Sequence, residues 1–182
     1  MDNKVIYKIL IWTGLLIFIV GIIGDANAIP YLRQGAIIGP VLFFLGTIIW
    51  IPQRVKNPIL HPFNSNKYRT GFDASFAVIF DNFLLEFWTF CCAFGMLIIL
   101  GGGAAMKSSD GFEAAILLLQ EDEKVKNQIG ELNGPGVLVG GSTSRTMAKL
   151  GFSVYGSKGS ARIDIEVIKS SGEWDLVSLE ID

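Results

Sequence analysis

Residues 96–110 read MLIILGGGAAMKSSD, and the chain changes character inside them. Up to Ala105 the composition suits lipid, and from Lys107 onward it suits water. The contrast holds in both directions. Residues 1–106 carry 7 Lys/Arg and 5 Asp/Glu, whereas residues 107–182 carry 8 and 12. Eleven of the 13 phenylalanines precede residue 107. Over the 182 residues 51% are hydrophobic and only 18% charged, against about 25% charged in soluble domains. That balance excludes a wholly soluble enzyme, a disordered linker and a disulfide-stapled secreted module.

Upstream of the boundary lie three apolar runs, residues 9–23, 36–51 and 83–100. The first extends through residues 5–7 if Lys8 snorkels to the interface, and the third continues through residues 101–105. A crossing helix needs about 20 residues, so the second run is expected to borrow residues 31–35. Residues 1–105 therefore predict a three-helix transmembrane region. Lys4, Lys8 and the Ala26-Asn27-Ala28 triplet also fit a cleaved signal peptide. Cleavage there would leave only a few residues before the next span, so a retained helix is favoured.

Charge in the short loops sets the orientation. The N-terminus and the second loop hold Lys4, Lys8, Arg54, Lys56, Lys67 and Arg69, while the first loop holds only Arg33. The basic side stays cytoplasmic, and three crossings then place the C-terminal domain outside the cytoplasm. The net charge of −2 divides into +2 before residue 107 and −4 after it. Neither part offers the basic face that nucleic-acid binding needs.

Polar groups in the apolar region invite sharper readings. Asp81 and Glu86 could mark an ion path, which would make the chain a small transporter or sensor component. No second charged span completes a relay, and acids beside Asn82 suit the N-terminus of the third helix. Cys91 and Cys92, with Met96 nearby, could suggest haem or copper delivery. Soft-metal sites need further converging ligands, and the sole histidine, His61, lies in the second loop before Pro62. Packing is the better reading of the two cysteines, and no cofactor or metal is expected. Gly35 and Gly39 have helix-contact spacing, weakened by Pro40.

Downstream, residues 106–110 read as a polar linker with an N-cap in Ser109 or Asp110. Phe112, Ala115, Ile116 and Leu119 then recur at helical spacing. Asp122 can cap a second short helix that turns Val125 and Ile129 inward and stops at Gly130. From Val137 the period changes to two, predicting strands over 137–143, 146–155, 160–169 and 174–181. In the second, Ala148, Leu150, Phe152 and Val154 alternate with Lys149, Gly151 and Ser153. The last switches face near Ser178, the mark of a bulge. Residues 111–182 thus predict a small α+β domain, one or two helices on about four antiparallel strands.

Catalysis finds little support in this domain. Residues 107–182 hold no His and no Cys, hence no imidazole base and no thiol nucleophile. The Gly156-Ser157-Lys158-Gly159 turn resembles part of a phosphate loop, but it joins two strands, where a hairpin turn is expected. Trp174, Lys158 and Tyr155 are the candidate partner-binding residues. Trp174 reads as core unless an edge position makes it a binding anchor.

The stretch from Met106 to Ile181 resembles the cytochrome oxidase complex assembly protein 1 family. Carrying the resemblance are Met106-Lys107-Ser108-Ser109 after a span, Phe112-Glu113-Ala114-Ala115, Val125 to Gly130, and Gly140-Gly141. Phe152-Ser153-Val154-Tyr155-Gly156-Ser157-Lys158-Gly159 and Gly172-Glu173-Trp174-Asp175-Leu176 complete it. It differs from the family in having three spans, and in Glu131-Leu132-Asn133 where a proline often follows the helix-ending glycine. The resemblance implies a membrane-anchored domain folded like a mitochondrial inner-membrane translocase subunit and assisting assembly of cytochrome oxidase. Its bacterial counterpart would face outward from the inner membrane. The expected function is a non-enzymatic assembly or scaffold factor whose partners are the lipid bilayer and subunits of a respiratory or other membrane complex.

Overall fold

The computed structural model describes residues 3–56 and 84–182. Asp81, Asn82, His61, Pro62, Lys67 and Arg69, on which part of the sequence reading rests, lie outside the described residues. Three helices are long and apolar enough to cross a membrane, which makes the chain a membrane protein. They are α1 (Asn3–Ala26), α2 (Gly35–Lys56) and α3 (Leu84–Lys107). The second gains its length at the end opposite to the one expected. Residues 30–34 form turns, and the helix instead runs on through Pro52 to Lys56.

Side chains between α1 and α2 are small, and the two backbones touch. A Cβ added at Gly39 would lie 2.4 Å from the Phe18 nitrogen, and one at Gly14 would lie 2.5 Å from the Phe43 nitrogen. Gly21 and Gly35 oppose each other in the same way. In lipid no hydrophobic force separates helix from tail, so such close backbone approach is what holds two helices together. The Gly35/Gly39 spacing therefore does mark a contact, and Pro40 is accommodated inside α2 as a buried residue. Phe18, Phe43 and Met96 join α3 to this pair. At the end of α2, Arg54 forms an ion pair with Glu86 in the first turn of α3.

Beyond Lys107 the chain folds as expected into two helices on one sheet. Ser109 caps α4 (Asp110–Glu121) and Asp122 caps α5 (Glu123–Ile129), each side chain accepting from amides of the first turn. The glycine after α5, Gly130, has φ 80° and ends it. Four strands follow, β1 (Leu132–Thr143), β2 (Met147–Gly156), β3 (Ser160–Ser170) and β4 (Glu173–Ile181), in an antiparallel meander of order 1-2-3-4. Phe112, Leu119, Val125 and Ile129 bury against Leu150, Phe152, Ile163 and Ile165. The Phe112 and Phe152 rings meet at 5.1 Å. In β4 the expected bulge is present, with Val177 the extra residue between Leu176 and Ser178.

The first strand departs from expectation. It begins at Leu132, not Val137, and includes Gly134, Pro135 and Gly136. Glycine and proline argue against a strand, but β1 is an edge, where a missing N–H is tolerated. Pro135 pairs with Val154 and Val139 with Phe152, so Gly136, Val137 and Leu138 stand opposite Ser153 alone. That three-residue bulge turns the Leu138 amide toward α1, where it donates to Asp25.

Gly39→Val should weaken the helix pair, whereas Gly95→Val on α3, where an added Cβ meets nothing within 4 Å, should not. Thermal unfolding in detergent is expected to drop by roughly 5–10 °C for the first variant relative to the second.

Candidate functional site

Helix α1 ends in a turn that satisfies its own carbonyls. The Ile29 amide donates to Gly24 at 2.8 Å and the Ala28 amide to Asp25 at 3.1 Å, with Ala28 in the left-handed region at φ 53°. This is a Schellman ending, and it leaves Asp25 in the last turn. A carboxylate there faces the negative end of the helix dipole, and its side chain is 0% exposed. An isolated buried charge is costly, so donors must surround it.

The bulge in β1 and the end of β2 supply them. The Leu138 amide donates to Asp25 Oδ2 at 2.6 Å, and the Tyr155 hydroxyl donates to Oδ1 at 3.0 Å. Gly136 makes the approach possible, since a Cβ there would lie 2.6 Å from Oδ1. Ser153 Oγ donates to the Asp25 carbonyl, Ser160 Oγ to that of Ala28, and Arg162 to that of Ala26 at 3.3 Å. Arg33, in the turn after α1, lies over the Tyr155 ring at 4.2 Å. On the far side of the bulge, a Cβ at Gly103 of α3 would meet the Val137 carbonyl at 2.9 Å. One bulge thus seats against two helices.

Burial pushes the Tyr155 phenol well above the ordinary tyrosine range, and the charge and hydrogen bond of Asp25 push it further. Arg33 and Ser153 act in the opposite direction without reversing it. Since the folded value lies above the unfolded value of about 10, the contribution of the phenol is present at neutral pH. It is lost as pH rises through the folded value.

Ser153 was expected to face water beside Lys149 and Gly151, yet it is 3% exposed. The reason is that α1 and its exit turn cover that end of the sheet's outer face. Beyond the cover the face stays open as a groove of about 420 Å³. Its floor includes Gly140 and Gly151, paired across β1 and β2, and Ser178 and Glu180 of β4 also line it. Two ion pairs lie along it, Lys149 with Glu166 and Arg162 with Asp164, each at 3.8 Å.

The candidate partner-binding residues do not converge. Tyr155 is 4% exposed and engaged by Asp25 and Arg33. Trp174 is half-buried against the core beside Lys169, on the helix-covered face. Lys158 is exposed in the β2–β3 turn. That turn is a hairpin turn, and its Ser157 and Lys158 amides donate to the Glu131 and Ile129 carbonyls at 2.9 and 2.8 Å. Those amides are directed at the end of α5 and do not form a phosphate cradle. Cys92 packs with Met96 in the helix cluster, and both cysteines are free thiols.

Among the described residues no three His, Cys, Asp or Glu side chains are grouped to hold a metal. The residues missed by sequence reasoning are Asp25, Gly136, Leu138 and Ser160. A signal for the first was present, because Asp25 is the only acid between Asp2 and Asp73. Compared with known proteins, the chain matches no family model, no curated protein and no solved structure.

Asp25→Ala should cost about 2–5 kcal/mol by stranding the Leu138 and Tyr155 donors, and Tyr155→Phe about 1–3 kcal/mol. Denaturant unfolding of the full chain in detergent measures both. The phenolate of Tyr155, taken as the ultraviolet difference between wild type and Tyr155→Phe, should form only above the ordinary tyrosine range.

Proposed function

We propose that this chain is a non-enzymatic assembly or scaffold factor, which holds its α+β domain in one orientation at the outer surface of a membrane. The observation that carries this reading is the Asp25 joint. A tethered domain free to tumble needs only a linker, whereas here the exit turn of α1 is bonded at several points to β1, β2 and β3. Such a joint serves presentation. What it presents is the open part of the sheet's outer face, with Lys149, Arg162, Asp164, Glu166 and Glu180 arrayed around a glycine floor.

The client is a membrane complex, and the family resemblance of residues 106–181 points to a respiratory complex of the cytochrome oxidase kind. The domain lies outside the cytoplasm of a bacterial inner membrane. In support, α1 meets the domain at its C-terminal end, away from the N-terminus, and α3 meets it at Gly103, one turn before its own C-terminal Lys107. Arg54 and Lys56 lie at the C-terminal end of α2, the end remote from the turn that joins it to α1. Pairing of Glu86 with Arg54 gives that carboxylate a structural partner and favours anchoring over an ion path.

Crosslinking in native membranes from a photoreactive residue at Ser142 or Ser178, in the groove, should capture subunits of a membrane complex. The same probe at Lys124, on the helix side, should not. Equal capture from both places, or none from the groove, contradicts the scaffold reading. A reporter fused after Asp182 should be active only outside the cytoplasm.

A further inference from the structure

Around Asp25 the charges do not balance. Its two carboxylate oxygens accept from the Leu138 amide and the Tyr155 hydroxyl, and Arg33 lies over the Tyr155 ring. Lys107 follows Gly103 by one helical turn, and Gly103 abuts the same bulge at the Val137 carbonyl. Arg33 is half-buried, with its guanidinium carbon 4.2 Å from the centre of the Tyr155 ring. Lys107, the last residue of α3, is half-buried too. Among the described residues neither cation forms an ion pair. One acid against two cations leaves a surplus of one positive charge. It lies where α1 and α3 leave their apolar runs, the depth of the lipid headgroups. Tyr31 of the same turn is 89% exposed, and aromatic rings of this kind favour that level.

We propose that Arg33 and Lys107 bind the phosphodiester of an anionic membrane phospholipid. A phosphodiester carries one negative charge, which closes the balance. Its oxygens suit the planar donor fork of arginine together with the point charge of lysine. Tyr155 holds the guanidinium in place beforehand, so little side-chain freedom is lost when the lipid binds. Two half-buried cations without an ion-pair partner among the described residues gain one in the anion. A bound lipid would also brace the joint from the membrane side. Inorganic phosphate shares the chemistry, but the position at the ends of two crossing helices favours a ligand with acyl chains.

The test uses the full chain in nanodiscs made from an equal mixture of phosphatidylcholine and phosphatidylglycerol, with retained lipid read by native mass spectrometry after release. Wild type should keep phosphatidylglycerol in preference to phosphatidylcholine, and excess inorganic phosphate should not displace it. The double variant Arg33→Gln/Lys107→Gln should lose about thirtyfold in affinity for phosphatidylglycerol. Lys124→Gln/Lys126→Gln, with the same change in net charge on α5, should lose none. Equal retention in the two double variants, no preference in wild type, or displacement by phosphate overturns the proposal. If the first double variant fails to fold, Arg33→Gln alone and the wild-type preference decide.

Discussion

A carboxylate with no exposure, set in the last turn of a transmembrane helix, constrains everything near it. Water cannot solvate Asp25, and the helix dipole opposes it, so the fold must bring donors to it. Several features that look unrelated in the chain meet that need together. The bulge in β1 aims the Leu138 amide, Gly136 leaves room for the carboxylate, and Tyr155 supplies the second donor. Ser153 and Ser160 then take the carbonyls of the exit turn. Removing the acid would leave the donors stranded, and removing the bulge would leave the acid unpaired. Each half makes sense only with the other.

This joint links the two parts of the chain, which rest on different forces. The transmembrane pair α1 and α2 relies on glycine contacts that let backbones approach, because lipid supplies no hydrophobic drive between helices. The domain relies on ordinary burial, with Phe112, Phe152 and the inward residues of β2 and β3 forming its core. Neither force would by itself orient one part against the other. Asp25, Arg33 and Tyr155 do so through directional bonds and a cation held over an aromatic ring. The sheet face that remains open next to them is consequently held in a fixed relation to the transmembrane helices.

Much of this was legible in the sequence, where a single periodicity governs. Three apolar runs, the period-two strands and the caps at Ser109 and Asp122 all announce local physics, and the structure follows them closely. Where a residue answers to a partner far along the chain, the pattern misleads. Gly134, Pro135 and Gly136 read as a loop, yet they lead into the bulge that receives Asp25. Ser153 alternates as a solvent-facing residue, yet α1 covers it from 128 positions away. Tyr155 read as a residue for a partner, and the group that occupies it belongs to this same chain. The lone acid at position 25 was the visible trace of the joint, but its donors lie on strands whose register no local rule sets.

Hydrogen exchange at the Leu138 amide addresses the joint most directly. That amide lies in the bulge, outside the paired positions of β1 and β2, and donates to Asp25 Oδ2. In the full chain it should exchange as slowly as core amides of β2 such as that of Leu150. In Asp25→Ala it should become fast while Leu150 stays protected. Rapid exchange of Leu138 in the wild-type chain would contradict the account, because the domain would then be tethered to the helices without being held.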